Sequence, residues 1–212
     1  MGKLFFDFVA SSREGGSTRA VFDFADDAAY LAGYHDRYIA YMTGMAETIL
    51  QNTTARVLFI ENGYASLGIE SPALYRRWDL PVVAAVARVA HARGALLHVH
   101  QHGPSRAVLG DLAGAGADLV DPLERPPGGD VADLAEVKRA HGGRIALRGN
   151  IHAHEVLLRG TPADVERQVR ECIEAAAAGG GYVLATGDGA ILGTPFENID
   201  AMVAAGIRWG GY

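Results

Sequence analysis

The chain has 212 residues, 49% of them apolar, and a formal net charge of −6. That length supports one sizeable core, so a single domain over residues 1–212 is expected. The acidic balance argues against nucleic-acid binding, which needs a basic face, and a lone cysteine, Cys172, excludes an internal disulfide and a thiolate zinc cluster.

The first residues, Met1 to Phe6, are apolar in part, but Asp7 interrupts them and no typical cleavage site follows. This reads as neither a secretory leader nor a membrane span, and a cytoplasmic location is expected. Short apolar runs at residues 4–9, 57–60, 95–100, 118–121, 145–148 and 182–186 predict strands. Between them lie helical patterns. The first, about 27–50, carries Leu31, Tyr34, Tyr38, Met42, Met45 and Ile49 on one stripe. Ser71-Pro72 is a cap with a first-turn proline, Pro81 restarts that helix, and Gly94 ends it. Shorter helices are predicted over 106–114 and 131–141. Thr161-Pro162 opens a long run to residue 178, and Thr194-Pro195-Phe196-Glu197 reads as a capping box opening the last helix.

Alternating strands and helices predict an α/β fold with a parallel sheet. No glycine-rich phosphate motif sits at a strand-to-helix turn, which leaves a nucleotide-binding fold without support. A TIM-type (β/α) barrel fits better, because its functional residues gather at the C-terminal strand ends. Glu61 follows the second predicted strand, and His98, His100 and His102 end the third. Asp121 and Glu124 follow the fourth, Arg148 and Asn150 end the fifth, and Asp188 follows the sixth. The barrel would be incomplete, with about six of its eight strands in this chain. Two open sheet edges would then need cover, so self-association or pairing with a subunit carrying the missing strands is expected.

The segment Ala95-Leu96-Leu97-His98-Val99-His100-Gln101-His102 reads as a buried strand running into imidazoles. Residues two apart on a strand share a face, about 6.6 Å apart. His98 and His100 therefore project together as candidate metal ligands, with Asp188 or Glu61 completing the set. A hydrogen-bonded polar cluster without metal is the alternative. His102, before Gly103-Pro104, is a candidate proton donor or substrate contact, since imidazole both gives and takes a proton near neutral pH. Asp121 is the inward carboxylate of its turn, and Glu124 is expected only to solvate the loop. His152 and His154 are expected to supply polarity at a helix start. His35, His91 and His141 are expected on the surface, and Cys172 is expected buried and inert.

Several stretches together resemble the uroporphyrinogen decarboxylase superfamily, which includes the decarboxylase of haem synthesis and zinc-dependent methyltransferases that work with corrinoid proteins. They are Glu61-Asn62-Gly63-Tyr64 through Ser71-Pro72, Leu97 to Gly103, Gly149-Asn150-Ile151 followed by Val156 to Pro162, and Gly187-Asp188-Gly189 with Thr194 to Asn198. The resemblance runs nearly end to end and corresponds to the later three quarters of a family member. It implies a metal, zinc in the methyltransferases, on His98, His100 and Asp188. By their places at the strand ends His102, Glu61 and Asp121 are the catalytic candidates and Tyr64, Arg148 and Asn150 the candidate substrate contacts; the resemblance adds a corrinoid protein as partner. His100 and Asp188 stand where the methyltransferases use cysteine, and an all-nitrogen-and-oxygen set discriminates less between zinc, manganese, iron and nickel. The activity implied is methyl transfer to a small-molecule substrate. Tetrapyrrole decarboxylation is the alternative, with Arg13, Arg19 and Arg148 as its few cationic anchors, and a non-catalytic half-barrel partner subunit is a third reading.

Overall fold

A computed structural model describes residues 1–63 and 66–211. Tyr64, expected above to contact substrate, lies outside the described residues. The chain forms two compact units, Met1–His102 with Ala107–Leu119, and Gly103–Arg106 with Val120–Tyr212. The strand order of the sheet, β1 to β6, is the order of the chain.

The first unit holds β1 (Gly2–Lys3), β2 (Val57–Asn62) and β3 (Leu96–Gln101), with helices α1 (Phe5–Ser12), α2 (Gly16–Asp26), α3 (Ala28–Asn52), α4 (Pro72–Trp78), α5 (Leu80–Ala92) and α6 (Leu109–Ala115). Its three strands are parallel, with Lys3 opposite Glu61, Phe59 opposite His98 and Glu61 opposite His100. The side chains alternate cleanly. Leu58, Ile60, Asn62, Leu97, Val99 and Gln101 are buried, whereas Val57, Phe59 and Leu96 on the other face are exposed and Glu61, His98 and His100 half-buried. The stretch 95–97 is thus not buried throughout, because Leu96 belongs to the open face.

Residues 4–9 form the start of α1 and not a strand. Phe5 and Val9, and Phe6 and Ala10, lie one helical turn apart and are all buried. The strand expected there shrinks to Gly2–Lys3. The helix is started from afar: Phe6 N donates to Asp79 Oδ1 at 2.8 Å, satisfying one of the amides that a helix N-terminus leaves open. The Phe5 ring packs against Phe24, Tyr34, Tyr38, Trp78 and His35, with its centroid 4.7 Å from the imidazole. His35 is therefore a core residue and not a surface one. It is 7% exposed, with Nε2 2.6 Å from the Trp78 carbonyl. Burial pushes its pKa down, and the carbonyl contact opposes this in part. His91 is exposed and paired with Asp118 at 2.8 Å.

Strand β4 (Leu119–Asp121) carries the chain from one unit into the other. The second unit continues with α7 (Leu134–His141), β5 (Ala146–Ile151), a π-helical turn over Ala153–Leu158, α8 (Pro162–Ala176), β6 (Tyr182–Thr186) and α9 (Phe196–Trp209). Strands β5 and β6 are parallel, with Arg148 opposite Val183 and Ile151 opposite Thr186. Thr161 and Asp164 form a reciprocal capping box at the start of α8. The box expected at Thr194 does not form. Pro195 takes the cap position, and Thr194 Oγ1 donates to the Ile191 carbonyl at 2.7 Å instead. Cys172 is buried, with its sulfur 3.6 Å from Asn150 Oδ1. Among the described residues no helix is long and apolar enough to cross a membrane.

Candidate functional site

In the first unit the candidate residues share the open face of β2 and β3. The register sets Glu61 beside His100 and Phe59 beside His98. The Phe59 ring meets His98 edge-on at 5.0 Å between centroids and lies 6.0 Å from His100. His102 continues the ladder, its N donating to the Asn62 carbonyl at 3.1 Å. Its imidazole lies 6.2 Å from that of His100, with the rings 19° from parallel. Strand alternation thus brings His98, His100 and His102 to one side, with one carboxylate in register and an aromatic ring against the first two.

In the second unit the candidates sit on the ends of β4, β5 and β6 and the loops that follow. Asp121 is 2% exposed and accepts from Arg148 Nη1. Asn150 is buried. Its Nδ2 donates to the Val131 carbonyl at 3.1 Å, its Oδ1 faces the Cys172 thiol, and its own carbonyl accepts from Arg125 Nε at 3.0 Å. Glu124 does not merely solvate its loop. It is 8% exposed and accepts the Gly103 amide, while Asp130 Oδ1 accepts from Ser105 N at 2.9 Å and Arg106 N at 3.2 Å. Two carboxylates thus take all the amide hydrogens of residues 103–106, since Pro104 has none.

A cavity of about 400 Å³ opens here, lined by Glu124, Arg125, His152, His154, Glu155 and Asp188 among others. His152 lines it in one tautomer. Its Nδ1 accepts the Glu155 amide at 3.3 Å, and its Nε2 donates to the Pro126 carbonyl at 3.1 Å. This is the helix-start role expected of it. Asp188 is exposed and accepts the Gly189 amide at 2.6 Å. Sequence reasoning missed Glu124 and Arg125 as cavity residues. The available signal was the proline-flanked turn from Asp121 to Pro127, which aims successive side chains through a stiff loop.

The model of the family described as uroporphyrinogen decarboxylase (URO-D) matches residues 27–209. The chain belongs to the uroporphyrinogen decarboxylase family. It is 30% identical over 167 residues to a methylcobamide:CoM methyltransferase, MtaA, of Methanosarcina barkeri, covering 79% of this chain and 44% of that protein. It is 29% identical over 150 residues to a uroporphyrinogen decarboxylase of Xylella fastidiosa, covering 65% of this chain and 39% of that protein. A solved structure of a methyltransferase from Methanosarcina mazei superposes with a TM-score of 0.74 at 24% identity, over 99% of this chain and 58% of that one. This likeness shows the fold: α/β, of the TIM-barrel type, with part of the barrel in this chain. The chain spans less than half the length of the curated relatives it matches. Those relatives are enzymes, and they divide between methyl transfer and decarboxylation.

Proposed function

We propose that this chain contributes the site of a metal-dependent methyltransferase of the corrinoid-linked type, acting on a small-molecule acceptor. The charge of the cavity in the second unit carries this reading. Glu124, Glu155 and Asp188 bring three carboxylates against the single guanidinium of Arg125, which spends its Nε on the Asn150 carbonyl. A tetrapyrrole substrate with several carboxylates needs cationic anchors, and this lining repels them. The volume, about 400 Å³, suits a small acceptor.

The metal ligands proposed are His98, His100 and Asp188, with zinc as the expected ion. Two imidazoles on one strand face, with the Glu61 carboxylate in register beside them, are donors that fit a borderline divalent cation. A bound divalent ion would supply Lewis acidity to the heteroatom that accepts the methyl group. The protein's own residues do the rest. The Phe59 ring restricts how His98 and His100 can turn. His102 takes the proton released by the acceptor and Glu61 tunes the charge on its strand face, with Asp121 proposed as the catalytic carboxylate of the second unit. Arg148, held by Asp121, and Tyr64 contact the substrate, and Asn150 holds the strand end on which Arg148 stands.

The family match crosses both units, which supports reading residues 1–212 as one domain. The partners proposed are a corrinoid protein and either a second copy or a subunit supplying the remaining strands, in the cytoplasm. The Arg148 guanidinium, with 39% of its side chain exposed, is the observation favouring decarboxylation as the second reading. The test is methyl transfer from methylcobalamin to small thiols and amines, run beside decarboxylation of uroporphyrinogen. Transfer that is lost in His98→Ala and His100→Ala supports the proposal. Decarboxylation with no transfer overturns it, and neither activity in a metal-loaded protein favours the partner-subunit reading.

A further inference from the structure

The first unit carries a cavity of about 520 Å³ that takes its lining from α1, α2, α3 and the residues joining them. Its construction is local. Gly15 and Gly16 both hold a positive φ, 89° and 62°, a conformation that glycine adopts without strain and that folds α2 back on α1. A Cβ at Gly15 would lie 2.9 Å from Arg19 Cβ, so the bare glycine also makes room for that arginine. Within α2, Arg19 and Asp23 stand one turn apart. Tyr30, Leu31, Tyr34 and Arg37 follow the three- and four-residue spacing of one face of α3, with Asp27 at its N-cap.

The cavity is cationic in a chain whose net charge is −6. One carboxylate serves two arginines: Asp23 Oδ2 lies 2.7 Å from Arg13 Nε, and its Oδ1 lies 2.9 Å from Arg19 Nε. Both contacts run through Nε, which leaves the Nη groups of both guanidiniums without an acceptor among the described residues. Arg37 makes no ion pair among the described residues. Its Cζ stands over the Tyr34 ring, 5.7 Å from the centroid. Asp27 is the remaining carboxylate, so three guanidiniums face two acids. The Tyr34 ring is itself held, 5.9 Å from the Phe5 ring and 6.0 Å from the Phe8 ring. Val9 and Leu31, both buried, supply an apolar floor. An ordinary surface ion pair spends its charges on one another, whereas here the donors outnumber the acceptors.

We infer that this cavity binds a small organic anion. Its carboxylate or phosphate head meets the Arg13, Arg19 and Arg37 guanidiniums, and its flat apolar body lies against the Tyr30 and Tyr34 rings. A guanidinium edge takes the oxygens of such a head in pairs, and aromatic walls take a planar body. The volume lies within the range of small-molecule sites. None of these residues belongs to the metal set or to the cavity proposed for methyl transfer, so the site stands or falls apart from that reading.

Titration of the whole chain with phenyl phosphate, at about 0.15 M ionic strength so that loose surface attraction is screened, tests this. Calorimetry gives the affinity, and the arginine Nε–H resonances report where the anion sits. Saturable binding with a Kd below about 1 mM is expected, with the Arg13 and Arg19 resonances moving. Inorganic phosphate has the head without the body and should bind more weakly. Arg37→Gln removes a guanidinium that the fold does not pair, so the variant should stay folded and lose about ten-fold in affinity, the scale of one charge-assisted hydrogen bond. Arg139→Gln, on α7 of the second unit, removes the same charge elsewhere and should bind as the wild type does. Any of three results overturns the site: no saturation by about 10 mM phenyl phosphate, an equal affinity for inorganic phosphate, or an Arg37→Gln affinity no lower than that of Arg139→Gln.

Discussion

Replacing Asn198 by alanine should unfasten the π-helical turn that carries three cavity residues. Asn198 is 1% exposed, and its Nδ2 donates to the Leu157 carbonyl at 2.9 Å and to the Gly160 carbonyl at 2.8 Å. Those two acceptors close the turn over Ala153–Leu158, in which Ala153, His154 and Glu155 line the cavity just after His152. Each net hydrogen bond contributes about 1 kcal/mol, and a buried acceptor left without a donor costs about 1–3 kcal/mol. Two bonds lost together should therefore lower stability by about 2–4 kcal/mol, less wherever water reaches a carbonyl. Denaturant unfolding measures the loss, and hydrogen exchange over residues 153–160 shows whether it is local. Asn198→Asp keeps the shape but removes the donors and buries a charge, so it should be at least as damaging. A loss below about 0.5 kcal/mol for Asn198→Ala, in the range of ordinary surface substitutions, would refute the pinning role.

Three further outcomes follow from the geometry. Arg148→Ala leaves the Asp121 carboxylate, 3% exposed, without its guanidinium; the cost should be about 1–2 kcal/mol by denaturation, discounted because Arg148 is partly solvated, and an unchanged midpoint would contradict it. Thr161 and Arg167 hold the Asp164 carboxyl well below the ordinary range. The capping box should thus stabilise α8 above pH ~4 and lose that effect as pH falls further, and a Thr161→Ala variant with the same acid profile as the wild type would contradict this. The lowered pKa of His35 favours its neutral form in the folded protein. Its contribution should be present above pH ~6.5 and be lost as pH falls through the folded value, so His35→Phe should flatten the stability profile between pH 5 and 7 on the order of one titrating group.

Strand β3 and its same-face histidines were legible because a period of two depends only on neighbouring residues. The αβ alternation and the Thr161 cap were legible for the same reason. Helix α1 was not. Its run from Leu4 to Val9 is apolar enough for either element, and the Asp79 side chain that starts the helix is 73 residues away from Phe6. His35 sits on a helix whose sequence neighbours, Tyr34 and Asp36, are polar or amphipathic. Only the aromatic cluster around Phe5 explains its burial. Glu124 was misread because a carboxylate in a proline-rich turn is commonly solvated, whereas here the Gly103 amide reaches it. The Thr194 box failed because Pro195 occupies the position where a capping side chain is needed.

The proposed metal chemistry is tested most directly by the divalent metal content of the purified chain, measured before and after adding zinc. Wild type should hold about one ion per chain at a site with two imidazoles and a carboxylate. His98→Ala and His100→Ala should each lose it while keeping the helical circular dichroism of the parent. A wild-type chain that takes up no stoichiometric metal, or a His98→Ala variant that keeps its full content, would contradict the account.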